Sequence, residues 1–544
     1  MTAQFYRRSR NGCLTCRGAR IKCDERRPLC RQCERRGVPC DGYKVQLKWV
    51  EASDVNPDSR APAKSVVKPR SSLAMCPSRS AAAAAANRNA SEKAADLRTA
   101  AVIVRNPPSG PSLDSPADVF IFTHWAQSLP DLVYPNPADY GVIRDPYIFF
   151  VWKPESILLP AVLAAGAAHL HALGILKQAD VLERKQRALN QMVACMRERK
   201  SSTTPQGRPG TLPLYVSEEA IAASLSLVGL EIMHGSETSV IRPLLRGMRA
   251  QLEDRRRVLA SMVEGLGMHR PTPMMAINVK MMAYMDAMSC VPCAKRPLLD
   301  TQFWRDEIMP YGQGGGDASR VPDIVFGYST KILPLIGDAA TLVHDLFSGM
   351  IAPEEFVLDR YYLVQELAAC CRELPPAVQQ PACAEGGPGD PAGGLAAKNG
   401  NACISAALAF ALATQVFLLR ASGGEASAAR ISPSSNPTAL AEQLADAVAG
   451  VPLDSFASTM MAWPVFVLGC ESAPTGSRRY LVEALYEKMV EKHRLLNMSA
   501  AIEALRTKIW RTDGAASSPT ASLQYRQSDW VRHCWQEKLQ LCMA

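Results

Sequence analysis

The 544-residue chain reads as two structures of different kinds, a small zinc-stabilised binuclear cluster head and a large all-α body. Three observations predict this. Six cysteines between positions 13 and 40 follow the spacing CxxC, six residues, C, and after six more residues the pattern repeats, so the head is a duplication with pseudo-twofold symmetry and two short helices. Beyond about position 116, apolar residues recur at three- and four-residue steps. Between the two lies a stretch repeatedly broken by proline and poor in aromatics. The boundaries that follow are 1–48 for the head, 49–115 for a flexible linker and 116–544 for the body.

Clustered thiols serve disulfides, redox pairs or metals, and these need different surroundings. The opening "MTAQFYRRSRNG" has no apolar stretch of the kind a secretory signal needs, which argues against a disulfide scaffold. A redox pair wants one CxxC beside a strand, whereas here there are two and no strand pattern. Metal remains, and a thiolate-rich tetrahedral set favours zinc. The first histidine is His124 and the next cysteine after Cys40 is Cys76, so the local ligands are Cys13, Cys16, Cys23, Cys30, Cys33 and Cys40. Six thiolates satisfy two four-coordinate zinc ions per chain only if two sulfurs are shared.

Charge sharpens the reading. Residues 1–48 hold 13 Lys and Arg against 4 Asp and Glu, while the whole chain holds 61 against 52, so the entire excess of +9 sits on the head. Such a head wants a polyanion. Basic side chains lie on the segments that follow each CxxC, and Arg17, Arg31, Arg35 and Arg36 read as phosphate contacts.

The segments "CLTCRGARIKCDERRPLC" and "CRQCERRGVPCDGY" closely resemble the fungal binuclear zinc cluster DNA-binding domain, down to "CDE" after the third cysteine and Pro28 in the loop between repeats. The resemblance implies that Cys13 and Cys30 bridge the two ions. It gives Arg20, four residues past Cys16, the base-reading place that a lysine holds in the family, and it matches Lys22, before Cys23, to the family's lysine there. Arginine suits the role, since it can donate a bidentate pair to guanine. A zipper often follows such clusters, but no a/d repeat survives three heptads here and Pro57, Pro62 and Pro69 interrupt the register.

In the body, stripes such as Ile332, Leu335, Ile336, Ala339, Leu342, Val343 and Leu346 mark successive helices, near 157–174, 219–233, 239–263, 274–290, 355–373, 402–420, 437–449, 460–472, 478–496, 498–511 and 523–541. Polar loops are expected at 199–215, 375–400 and 421–436. The run "ACISAALAFALATQVFLL" at 402–419 is uncharged but rich in small residues and ends on Arg420, which reads as a buried core helix and no membrane span. The region is similar to the α-helical fungal transcription-factor regulatory domain, in "FIFTHWAQSLP", "MMAYMDAMS", "DIVFGYSTKILPLIGDAATL", "WPVFVLGCES" and "SDWVRHCWQEKL".

Other features read as structural. Cys290 and Cys293 in "SCVPC" lack two further ligands nearby. The methionine-rich run 274–288 suits core packing. "GQGGGD" at 312–317 lacks the ending of a phosphate loop. His124, His169 and His171 read as satisfied structural histidines, and Trp463, Trp510, Trp530 and Trp535 as core anchors. No nucleophile and base set appears, so an enzyme is not expected.

The resemblances together imply a nuclear, sequence-specific regulator of RNA polymerase II genes that binds double-stranded DNA at CGG-type half-sites, with "RRSR" at 7–10 available for nuclear import. The body would then serve the transcription machinery or co-regulators and any homodimer. The rival reading is an interaction or repressor protein working through the body, with weak or nonspecific DNA binding by the head.

Overall fold

The computed structural model describes residues 13, 15–16, 19, 21, 23–24, 30–38 and 40, then 113, 115–133, 140–153, 155–201, 212–262, 271–308, 322–376, 391–421, 436–473, 476–510 and 529–544. The chain divides into two compact units, Met1–Lys93 and Ala94–Ala544. Nearly all of the expected linker and the "GQGGGD" run fall outside the described residues.

In the first unit, helix α1 (Arg31–Arg35) carries Cys33. In the second, every regular element among the described residues is helical, and an isolated antiparallel bridge between Asp323 and Gly327 is the nearest approach to a sheet. The helices are α2 (Pro116–Val133), α3 (Tyr140–Val151), α4 (Leu158–Ala172), α5 (Gln178–Ser201), α6 (Glu218–Met233), α7 (Thr238–Met262), α8 (Pro273–Cys290), α9 (Ile332–Phe347), α10 (Pro353–Glu373), α11 (Pro391–Ala421), α12 (Pro437–Ala449), α13 (Ala462–Cys470), α14 (Ser477–His493), α15 (Leu496–Ala504) and α16 (Trp530–Gln536). Polar caps fix several starts. Ser217 accepts the Ala220 amide, Thr272 that of Met275 and Asn436 that of Thr438, which satisfies amides the first turn leaves free.

Two helices act as hubs. Helix α4 packs against α2, α5 and α6, and α11 against α9, α10, α12 and α13, while α8 touches members of both groups. Their sequences explain this: Leu158–Leu170 and Ala402–Ala421 are apolar almost all round, and such a helix must be surrounded. The segment Lys398–Ala421 is long and apolar enough to cross a membrane, with mean hydropathy 2.1, yet 83% of that window is buried inside the body. The methionine run is likewise internal, with Met274, Met275, Met281, Met282, Met285 and Met288 all buried. Cys290 and Cys293 are buried thiols.

The structure corrects three expectations. The loop expected at 375–400 ends early, because α11 is already helical from Pro391. Among the described residues of the stripe at 523–541, the helix is Trp530–Gln536, and the residues after it, with Leu539, Cys542 and Met543 buried, form an irregular tail. Trp463, Trp510 and Trp530 are core residues, but Trp535 is half-buried at the margin, against His344 at 5.0 Å and Phe347 at 5.7 Å between ring centroids.

The histidines form a chain of internal hydrogen bonds. His169 Nε2 lies 3.2 Å from the His493 carbonyl, which can only accept, so the neutral His169 ring carries its proton on Nε2 and accepts at Nδ1 from His124 Nε2 at 2.9 Å. Ser458 donates to the Ser455 carbonyl, so His493 Nε2 donates to Ser458 Oγ at 2.9 Å. His171 is satisfied by the Leu176 carbonyl. A second proton on His169 would face the His124 N–H. Burial first, then His124, pushes His169 down to about 4, and burial with Lys492 and His169 does the same to His493. A histidine held below its ordinary value of 6.5 keeps its contribution to stability above that pH and loses it as pH falls towards 4. Asp286, pushed up to about 6 by burial, titrates with the opposite sign over part of this window. The comparison therefore needs a variant: the urea midpoint of the wild type should fall more between pH 7 and pH 5 than that of His169→Gln. Equal falls would remove the histidine chain as the cause.

Candidate metal centre and nucleic-acid interface

Among its described residues the first unit has almost no apolar material of its own. Its interior is Cys13, Cys16, Cys23, Cys30 and Cys33, all buried, with Ile21, Val38 and Cys40 packed partly against them. Nothing of this size holds together on such a core without a further bond.

Backbone geometry places the sulfurs. Cys30 precedes α1 in an extended conformation and its Sγ accepts the Cys33 amide at 3.2 Å, so both thiols of the second CxxC face one side. The first repeat does the same, with Cys16 N donating to Cys13 Sγ at 3.3 Å. The helix ends at Gly37, whose φ of +61° is the left-handed turn that glycine adopts freely. Gly37 N donates to the Glu34 carbonyl and Val38 N to the Cys33 carbonyl, the paired bonds of a Schellman stop. In the first repeat Ile21 N reaches back to the Cys16 carbonyl over the same five-residue span, at 3.0 Å. The duplication seen in the spacing is thus a duplication of backbone hydrogen bonds.

The sulfurs converge as two groups of four. Cys13, Cys16, Cys23 and Cys30 form one, and Cys13, Cys30, Cys33 and Cys40 the other, with the ligand atoms of each within 4.8 Å of one another. Cys13 and Cys30 belong to both. Sγ atoms of Cys13 and Cys30 are 3.6 Å apart, as are those of Cys16 and Cys30, while Cys13 to Cys33 and Cys16 to Cys33 are 3.7 Å. Disulfide sulfurs sit at about 2.05 Å, far closer. Four thiolates around a zinc at about 2.3 Å stand about 3.8 Å apart, which is the spacing here. Burial pushes the Cys13 and Cys16 thiols up and Cys30 up to about 12, which disfavours the thiolate form of these three. A pair of divalent cations supplies the charge that lets the thiols ionise.

Asp24 was noticed in the sequence only as part of "CDE". Its Oδ2 accepts the Arg31 amide at 3.2 Å and its Oδ1 the Gln32 amide at 3.4 Å. Asp24 is exposed; the neighbouring chain displaces some of its water, which opposes ionisation, but those two amides outweigh that and hold the carboxyl below its usual range. A signal was available, since both repeats end in Cys-Asp, at Cys23–Asp24 and Cys40–Asp41.

On the outside of the second repeat, Arg31, Arg35 and Arg36 are exposed, together with Glu34. Arg17, Arg20 and Lys22, the other expected DNA contacts, lie outside the described residues.

Comparison with known proteins bears on both units. Residues 11–50 match the fungal Zn(2)-Cys(6) binuclear cluster domain, and residues 120–544 match the fungal specific transcription factor domain. The chain belongs to the fungal zinc-cluster transcription factors. In this family the six-cysteine cluster binds two zinc ions, and the family is one of transcription factors, not of enzymes. Among similar proteins are arginine metabolism regulation protein II of Saccharomyces cerevisiae, 46% identical over 46 residues, and the aspercryptin biosynthesis cluster-specific transcription regulator of Emericella nidulans, 67% identical over 36 residues. Transcriptional regulatory protein pro1 of Neurospora crassa is 43% identical over 65 residues. These matches take in 8%, 7% and 12% of this zinc-cluster factor and 5%, 6% and 8% of the respective relatives. No solved structure matches.

Proposed function

We propose that the chain is a sequence-specific regulator of RNA polymerase II genes, working in the nucleus and reading CGG-type half-sites through a head in which Cys13, Cys16, Cys23, Cys30, Cys33 and Cys40 hold two zinc ions. The observation that carries this reading is the pair of four-sulfur groups sharing Cys13 and Cys30, on a segment that holds all of the chain's excess positive charge. The head spans 1–48, a linker runs through 49–115, and the body, 116–544, serves co-regulators and any homodimer. Arg20 and Lys22 read bases, and Arg17, Arg31, Arg35 and Arg36 hold phosphates. The mechanism is division of labour: phosphate contacts supply affinity and register, and base contacts supply preference.

Binding to CGG and scrambled duplexes across a salt series tests it. Arg20→Ala removes a bidentate pair worth roughly 1 to 3 kcal/mol of discrimination, so the preference for the cognate duplex should shrink. Arg17→Ala should weaken both duplexes alike and lower the salt slope by about one unit. Arg20→Lys should keep part of the preference, since lysine reaches the groove without the planar fork. Equal wild-type affinity for the two duplexes would favour the rival reading, in which the body is the working part. Loss of affinity with the preference intact in Arg20→Ala would move base reading to Lys22.

A further inference from the structure

Helix α1 is five residues long, too short to be stable by itself, yet it carries Cys33 and begins at Cys30. Its first three amides are each accounted for. Arg31 N and Gln32 N go to the two oxygens of Asp24, and Cys33 N goes to Cys30 Sγ. Asp24 follows Cys23 directly, so it belongs to the first repeat while its acceptors serve the second. It thus ties the end of one repeat to the helix start of the other. If the first turn loosens, the amide that Cys30 Sγ accepts loosens with it, and Cys30 lies in both four-sulfur groups.

We propose that Asp24 is a positioning residue for the metal centre: by clasping the Arg31 and Gln32 amides it sets Cys30 and Cys33 in place and so couples the two zinc sites. The inference rests on the six-cysteine zinc head proposed above and assigns a role to a residue that touches no metal. Partners of this kind, one shell out from a metal ligand, are worth about 10- to 100-fold in metal affinity.

The test uses the full zinc-loaded chain, with zinc release to excess 4-(2-pyridylazo)resorcinol as one readout and hydrogen exchange of the Arg31 and Gln32 amides, with zinc bound, as the other. Asp24→Ala should release zinc about tenfold faster and expose both amides to exchange. Asp24→Asn keeps an acceptor oxygen and should stay nearer the wild type in both. Arg31→Pro removes one of the two donors while suiting the first helical position after an extended Cys30, so it should speed release less than Asp24→Ala. Combined with Asp24→Ala it should add nothing, because the bond it removes is already lost. Wild-type release from Asp24→Ala, or effects of the two substitutions that multiply, would overturn the proposal. Failure of the zinc reading itself is distinct: the wild type would then carry no zinc to release.

Discussion

Replacing Cys13 or Cys30 with serine should strip the chain of nearly all its zinc, whereas replacing Cys16, Cys23, Cys33 or Cys40 should leave close to one ion. The difference follows from membership. Cys13 and Cys30 stand in both four-sulfur groups, and each of the other four stands in one. A thiolate lost from a single group leaves the opposite set of four complete, but a lost shared sulfur leaves both groups with three. Structural zinc contributes about 10 to 16 kcal/mol of apparent binding free energy to small domains at neutral pH, so a head without metal has no other source of stability to draw on. Metal content per chain, measured after dialysis, decides the matter, and DNA binding should follow it. If Cys13→Ser and Cys16→Ser retained the same amount of zinc, the shared-sulfur arrangement would be wrong, however close the sulfurs stand.

The second large effect is expected deep in the body. Arg420, near the end of α11, donates from Nε to Glu471 Oε1 at 2.9 Å and from Nη2 to Oε2 at 2.7 Å, and Trp530 Nε1 donates to the same Oε1 at 2.8 Å. The three residues are 8%, 3% and 0% exposed, so water does not compensate for a missing partner. Glu471→Ala leaves a buried guanidinium and an indole N–H without acceptors, and the cost of breaking such a pair is about 3 to 5 kcal/mol. The double variant Arg420→Met, Glu471→Leu removes both charges and leaves the Trp530 N–H, whose loss of a partner costs about 1 to 3 kcal/mol. Urea unfolding of the two variants should therefore rank the double substitution as the milder. A single substitution that costs under about 1 kcal/mol would mean the charge finds another partner or water.

These two predictions also mark what a linear reading can reach. The head was legible because a metal gathers ligands that are close in sequence, and cysteine spacing over 13–40 records the geometry directly. Asp24 was not legible in the same way: its partners are backbone amides, which every residue has, and only the fold picks out those of Arg31 and Gln32. In the body, helical periodicity announced most elements, since burial on one side of a helix leaves a mark every three or four residues, but it singled out no stripe for α2 or α3. The start of α11 was missed because "PAGGLAAKNG" carries three glycines and little apolar pattern, although a helix already nucleated downstream can propagate through such residues. The Arg420–Glu471 pair joins positions 51 residues apart, and the histidine chain joins α2, α4 and the end of α14, so no local pattern foretells them. Arg420 looked like a charge at the border of an apolar run. It is instead the charge that the run buries.

The matching hydrogen bonds from Ile21 to Cys16 and from Val38 to Cys33 have a consequence for how the head can exist at all. Each repeat brings three sulfurs, and its fourth is always the leading cysteine of its twin. Neither repeat is a smaller version of the whole; each is a half that closes only upon its counterpart, as the subunits of a symmetric dimer do. The head is in effect a homodimer written twice into one strand, with the loop between the copies standing in for concentration. Cut apart, the two copies would have to find each other again before either could saturate a single ion, and the covalent tether spares them that search.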